Sequence, residues 1–163
     1  MGKRPISSDR SLIEMPAVIS RLRVRYAETD QMGVAYHANY LVWMEVGRTD
    51  YCRACGFTYR DMEAAGVRLV VAEARVRYHA AARYDDALRI ETRLTTLRSR
   101  QVGFAYTVHR EDDETLLATG DTLHLPTDAH GRVIRLPSNI YDALLHAPHA
   151  DKAPLQNACP KVM

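Results

Sequence analysis

Residues 38–55 spell one long helix whose first half has no polar side. Tyr40-Leu-Val-Trp-Met44 is apolar all round, and a surface helix does not tolerate that. The second half turns amphipathic, with Arg48, Asp50 and Arg53 interleaved, Asn39 placed to cap the start and Gly56 to stop the end. Everything long around it reads as strand. Arg21-Leu-Arg-Val-Arg-Tyr26 alternates strictly, with Leu22, Val24 and Tyr26 on one face and three arginines on the other. Residues 67–79, 86–98, 101–110 and 115–126 are rich in Val, Leu, Thr and Tyr, and a short sixth strand is expected over Arg132–Leu136. The links between them are short, so antiparallel meanders are favoured, since parallel pairs need crossovers of a dozen residues or more. A shorter helix is expected over Thr58–Ala65, capped by Thr58 and Asp61, and a last one runs from Ser138 through His146. One buried helix and five to six antiparallel strands make an α+β layer, the sheet curved around the helix. Such a layer leaves the other face of the sheet open, here the face that carries Arg21, Arg23 and Arg25, so a larger continuous sheet formed by two copies is the expected assembly.

Residues 18–147 form the one domain, with tails at 1–17 and 148–163 that carry proline and mixed charge without periodicity. With 47% apolar and 26% charged residues the chain reads as globular. Lys and Arg total 22 against 20 Asp and Glu, which gives no reason to expect nucleic-acid binding. There is no run of 18 apolar residues to span a membrane and no apolar leader near Met1, so a cytoplasmic location is expected. Three cysteines make no disulfide framework. Cys52 and Cys55 form a C-x-x-C at a helix end without a second ligand pair, and read as two small buried residues rather than a metal or redox site.

Chemistry concentrates in Tyr26-Ala-Glu-Thr-Asp30-Gln-Met-Gly33-Val-Ala-Tyr36-His37-Ala-Asn39-Tyr40, which joins the first strand to the buried helix. Tyr26, Asp30, His37 and Asn39 converge on a helix N-terminus, whose free N–H groups stabilise developing negative charge. A carboxylate there can act as base or nucleophile, and a histidine can orient or shuttle protons. Gly33 allows a sharp turn at positive φ. Glu73 sits inside an apolar strand, with two readings: a structural charge paired with an arginine such as Arg75 or Arg77, which is the expected one, or a carboxylate facing an active site shared across a dimer. His79, His109 and His124 lack metal-ligand spacing and read as packing or surface residues, and Trp43 reads as helix core or pocket wall.

The series Asp30-x-x-Gly33-x-x-Tyr36-His37-x-Asn39-Tyr40-Leu41-x-Trp43-x-Glu45-x-x-Arg48 resembles the signature of the 4-hydroxybenzoyl-CoA thioesterase-like family of hotdog-fold acyl-CoA thioesterases. It is most similar to the branch with a histidine seven residues after the aspartate. The resemblance continues through Tyr84-Asp-Asp86, Phe104-x-Tyr106 and Gly120-x-Thr122-x-His124, and covers about residues 20–137. It implies a sheet wrapped on a central helix, paired into homodimers or homotetramers, and hydrolysis of an acyl-CoA substrate without a cofactor or metal. It implies that Asp30 attacks the thioester carbonyl or activates a water, that the His37 N–H polarises the thioester oxygen, and that the His37 side chain and Tyr26 help orient the substrate. Arg98 and Arg100, flanking a tight turn, are the candidates for the CoA phosphates. Two other readings stand beside it. A hotdog hydratase or dehydratase would pair its aspartate with a histidine five residues on. A non-catalytic acyl-CoA or acyl-carrier binding subunit would have no use for an ionisable Asp30 beside an apolar helix end, where burial is costly.

Overall fold

The computed structural model describes residues 16–146. The tails expected at 1–17 and 148–163 lie outside the described residues, apart from Pro16 and Ala17. The strands are β1 (Val18–Arg23), β2 (Arg68–Tyr78), β3 (Ala87–Arg98), β4 (Gln101–Arg110) and β5 (Leu116–Thr127). They form one antiparallel sheet in the order β1-β3-β4-β5-β2. The helices are α1 (Asn39–Ala54), α2 (Tyr59–Ala64) and α3 (Ser138–Leu145). This is the α+β hotdog arrangement, with α1 lying in the concave face of the sheet.

Alternation decides which side chains the sheet buries. Leu88, Ile90, Thr92 and Leu94 of β3 and Val102, Phe104, Tyr106 and Val108 of β4 all turn toward α1, which answers with Tyr40, Trp43, Met44 and Tyr51. Gly47 sets how close the helix comes. A Cβ there would overlap the Thr92 hydroxyl and lie 3.1 Å from Ile90 Cγ2, so the missing side chain is what seats α1 on β3. Asp50 ties the same helix to β1, accepting from Ser20 Oγ at 2.7 Å and from Arg53 Nη1 at 2.8 Å. Leu41 and Val42, however, are exposed, so the apolar first half of α1 is only partly covered by its own chain.

Several local expectations need correction. The sixth strand over Arg132–Leu136 is reduced to an isolated bridge between Thr127 and Val133. Both long edges of β5 are already taken, by β4 and β2, and the Asp128 side chain folds the segment back by accepting the N–H groups of His130 and Arg132. β1 stops at Arg23, and Tyr26 begins a single 3-10 turn, Tyr26–Glu28, so it does not continue the apolar face of Leu22 and Val24. Arg21 and Arg23 meet Glu111 and Asp85 of their own chain. Asn39 does not cap α1 and Ser138 does not cap α3; each is the first residue of its helix. The Thr58–Asp61 capping box of α2 forms as expected. Glu73 faces away from α1, opposite Leu123, and makes no ion pair with Arg75 or Arg77 among the described residues. Cys52 is buried and Cys55 half-buried, and burial pushes both thiols up to about 12, so neither is a nucleophile at neutral pH. Cys159 lies outside the described residues.

β2 is the exposed member of the sheet. Its 11 residues pair on one side with β5, and among the described residues the other long edge has no partner. Val70 and Val71 are both exposed on it, and a bulge between Val71 and Glu73 breaks its register.

His124 of β5 is wholly buried beneath α1, its Nε2 2.9 Å from Thr122 Oγ1, which in turn lies 2.8 Å from Tyr106 Oη. Burial, with the Arg48 charge adding to it, lowers its pKa from 6.5 to about 4. The unfolded chain therefore takes up a proton below pH 6.5 that the native state refuses until about pH 4, so this residue removes stability as pH falls through that window. Urea midpoints measured at pH 7 and pH 4.5 are expected to fall more for the parent than for His124→Asn. An equal fall in both would show that His124 does not contribute.

Candidate active site

Between β1 and α1 the chain makes a small hairpin that is bonded at nearly every residue. Thr29 bridges Ala35, the Asp30 N–H donates to Val34 O at 2.9 Å, and Gly33 N–H returns to Asp30 O at 2.9 Å. Gly33 has φ +71°, the left-handed conformation expected of it. The Asp30 carboxylate caps its own turn, Oδ1 accepting Met32 N–H at 2.8 Å. Its second oxygen takes no hydrogen bond from the described residues.

Glu28 locks this hairpin to the helix, and its role is not visible in the spacing of the sequence. It is only 5% exposed. Its carboxylate accepts the Arg25 N–H at 2.7 Å, Arg25 Nη2 at 2.9 Å and Trp43 Nε1 at 3.1 Å. Its carbonyl takes Asn39 Nδ2 and Tyr36 N–H, both at 2.8 Å. Burial would raise its pKa, but the hydrogen bonds from Arg25 and Trp43 outweigh it and hold the group below its ordinary value, so it stays ionised.

The start of α1 is held from the other side by Tyr40 and Tyr78. Tyr40 Oη accepts the Ala82 N–H at 3.0 Å, and Ala82 O accepts the Ala35 N–H at 2.8 Å. Tyr78, at the end of β2, donates its hydroxyl to His37 O at 2.9 Å and packs edge-on against Tyr40 at 5.1 Å. That leaves the N–H groups of His37 and Ala38 without an acceptor among the described residues, at the end of a 16-residue helix. A cleft of about 300 Å³ opens there, walled by Ala35, His37, Tyr40, Tyr78 and the 79–81 segment. The cleft reaches His37 at this helix end, and unbonded helix-end N–H groups favour an oxygen that gains negative charge.

The sequence-predicted residues divide by position. His37 lines the cleft, and Asp30 lies on the adjoining turn, one residue beyond the Thr29–Ala35 bridge. The His37 ring is exposed and rests against Tyr36 at 4.3 Å. Tyr26 makes no hydrogen bond to Asp30 or His37 among the described residues, and its ring instead meets Tyr84 edge-on at 5.6 Å. Arg98 and Arg100 are not brought to this cleft within one chain. They stand at the far end of β3, a 12-residue strand that spans roughly 35–40 Å. Among the described residues no cluster of His, Cys, Asp and Glu can hold a metal ion, and no helix is long and apolar enough to cross a membrane.

Residues 24–150 match the thioesterase-like superfamily. The chain is 41% identical over 93 residues to a putative acyl-CoA thioesterase, YneP, of Bacillus subtilis, covering 57% of this chain and 67% of that one. It is 36% identical over 107 residues to the acyl-CoA thioester hydrolase YbgC of Escherichia coli, covering 66% and 79% respectively. The crystal structure of a hypothetical protein, TT1821, from Thermus thermophilus superposes with a TM-score of 0.76 at 41% identity, over 80% of this chain and 99% of that one. With a match that runs from the end of β1 through α3, on a helix-wrapping sheet whose cleft sits where the signature residues converge, the chain belongs to the thioesterase-like superfamily of hotdog-fold proteins.

Proposed function

We propose that the protein is an acyl-CoA thioesterase, hydrolysing an acyl-CoA to the free carboxylic acid and coenzyme A. The observation that carries this reading is the pair of unbonded N–H groups at His37 and Ala38, beside a turn whose aspartate keeps one carboxylate oxygen free. The thioester oxygen accepts from the His37 N–H, and negative charge that develops on it is stabilised by the helix end. Asp30 adds to the carbonyl carbon as a nucleophile, or takes a proton from the water that does. The C–S bond then breaks and the thiolate leaves, which it does readily at a thiol pKa of ~8.5. Water supplies the acid's second oxygen and the proton that returns to sulfur. Tyr26, whose ring meets Tyr84 edge-on, is assigned to substrate orientation and not to proton transfer. The test is free-thiol release from a panel of short, long and aromatic acyl-CoAs. Release from one class identifies the substrate, whereas binding without release from any would leave a binding subunit.

The same reading includes a second copy of the chain. The free edge of β2, with Val70 and Val71 exposed, and the uncovered Leu41 and Val42 of α1 support pairing of two sheets along β2. In an antiparallel pairing the Arg68 end of one β2 meets the Tyr78 end of the other. The Arg98–Arg100 turn lies at the Arg68 end, through Thr127 of β5 and the Val102–Leu97 pairing of β4 and β3. A second copy would therefore carry its Arg98 and Arg100 toward this chain's cleft, where the CoA phosphates need cations. Sedimentation at micromolar concentration is expected to give a dimer or a dimer of dimers. A single species of monomer mass that hydrolyses thioesters would overturn the pairing.

A further inference from the structure

We propose that Tyr78 is a positioning residue for the reaction: its hydroxyl, by donating to the His37 carbonyl, orients and polarises the peptide unit whose N–H, that of Ala38, is a second donor to the thioester oxygen. The inference rests on the acyl-CoA thioesterase reading above and adds to it a side chain from a different element of the fold.

A peptide N–H donates more strongly when the carbonyl of the same peptide unit is itself hydrogen-bonded, because each bond polarises the next. Both unbonded donors of this helix end belong to units of that kind. Behind the His37 N–H, Tyr36 O accepts the Asn39 N–H at 2.9 Å. Behind the Ala38 N–H, His37 O accepts the Tyr78 hydroxyl at 2.9 Å, while the backbone gives it only a long contact, from the Tyr40 N–H at 3.4 Å. The first bond is a turn that the chain makes within four residues. The second comes from a side chain 41 residues away, on the last residue of β2. An oxygen that passes from carbonyl to tetrahedral oxyanion gains charge for which a second donor is useful, and a donor fixed beforehand needs no reorganisation when the charge appears.

Tyr78 is fixed beforehand. Its backbone pairs with Ala118 of β5, and the next residue, His79, donates its N–H to Leu117 O at 2.8 Å. Its ring packs edge-on against Tyr40, which is only 3% exposed and whose own hydroxyl accepts the Ala82 N–H at 3.0 Å. Tyr78, Tyr40 and His37 all line the cleft, so the Tyr78–His37 bond lies in the cleft wall. The helix does not depend on that bond for its seat, since Gly47 places α1 against β3 and Asp50 ties it to β1. Tyr78 itself is 47% exposed, so its hydroxyl is not forced onto the His37 carbonyl by a lack of water. A bond that neither seats the helix nor satisfies a buried hydroxyl, and that ends on the carbonyl behind a free donor, acts on that donor.

The experiment reads turnover and the thioester carbonyl together. Tyr78→Phe keeps the ring on Tyr40 and removes only the hydroxyl. It is expected to lower kcat about tenfold on the best acyl-CoA, with KM within about twofold of the parent's and an unchanged far-UV spectrum. The carbonyl is read in the Asp30→Asn background, which is expected to turn over too slowly to consume the substrate. There the infrared band of an acyl-CoA ¹³C-labelled at the thioester carbonyl is expected at lower frequency bound than free, and adding Tyr78→Phe is expected to return part of that shift. Tyr78→3-fluorotyrosine, a more acidic phenol of nearly the same shape, is expected to deepen it. A kcat at the parent value in Tyr78→Phe, a loss confined to KM, or a bound band that stands in one place for all three side chains would overturn the assignment and leave Tyr78 a packing residue. Failure of the parent to release thiol from any acyl-CoA would instead sink the thioesterase reading, whatever the band does, so the two failures are distinguishable.

Discussion

Asp30→Asn is expected to fold like the parent and to lose about 10³-fold in kcat on its best acyl-CoA. The substitution is chosen for what it keeps. The amide oxygen of asparagine can still accept the Met32 N–H that Asp30 Oδ1 takes at 2.8 Å, so the hairpin and the Gly33 turn stay in place. What is removed is the charge, and with it both candidate roles. Far-UV and urea profiles close to the parent's would show that the loss is chemical and not structural. Activity within tenfold of the parent would sink Asp30 as the catalytic carboxylate. Single-turnover hydrolysis in ¹⁸O-water then tests the nucleophilic role in the parent: label in the Asp30 side chain marks attack by the carboxylate, with water opening the mixed anhydride at the aspartyl carbon, while label in the acyl product alone marks water as the donor of oxygen to the acyl carbon, whether on the thioester or on the anhydride.

The second large effect concerns α1 and not the cleft. Gly47→Ala is expected to destabilise the fold by about 1–3 kcal/mol through overpacking, even though alanine is intrinsically favoured in a helix by about 1 kcal/mol. A methyl at Gly47 meets the Thr92 hydroxyl and, at 3.1 Å, Ile90 Cγ2, and both of those residues are wholly buried. The Thr92 hydroxyl has no hydrogen-bond partner among the described residues, so removing it costs no bond there. Thr92→Ala should therefore relieve the clash, and the Gly47→Ala/Thr92→Ala double variant is expected to be more stable than Gly47→Ala alone. Denaturation midpoints of the four proteins form the cycle. Simple additivity would mean that the helix does not rest on Thr92.

Both effects come from places where the sequence is uneven in what it reveals. The four long strands and the three helices were legible because their periodicity is strong: each observed boundary of β2 to β5 lies within one residue of the expected one. The hairpin at Asp30 and the positive φ of Gly33 were legible because few residues adopt that turn. Glu28 was not legible, because its importance comes from Trp43 and Asn39, 15 and 11 residues away, and only folding brings those donors to it. The sixth strand failed for a related reason. Residues 132–136 have strand composition, but whether a strand forms depends on a free edge, and β5 had none left to give. Asn39 and Ser138 have the composition of caps, and each lies one residue inside its helix, with Ala38 and Pro137 in the capping position. That Arg98 and Arg100 stand at the opposite end of β3 from their own chain's cleft was not legible either, because the register of the sheet and not the sequence sets that distance.

The position of β2 also governs how the chain emerges during synthesis. β3, β4 and β5 follow one another through short turns and can pair as they appear, but β2 is made before all three and pairs only with the last. From the time Tyr78 is complete until Thr127 is out, an 11-residue strand carrying Val70, Val71 and Val76 has no partner along either edge. Waiting strands of this kind are where nascent chains stick to one another. Glu73, Arg75 and Arg77, which make no ion pairs among the described residues of the finished sheet, place charge at alternate positions along that segment. Charge at alternate positions of a late-pairing strand opposes such contacts until β5 is present.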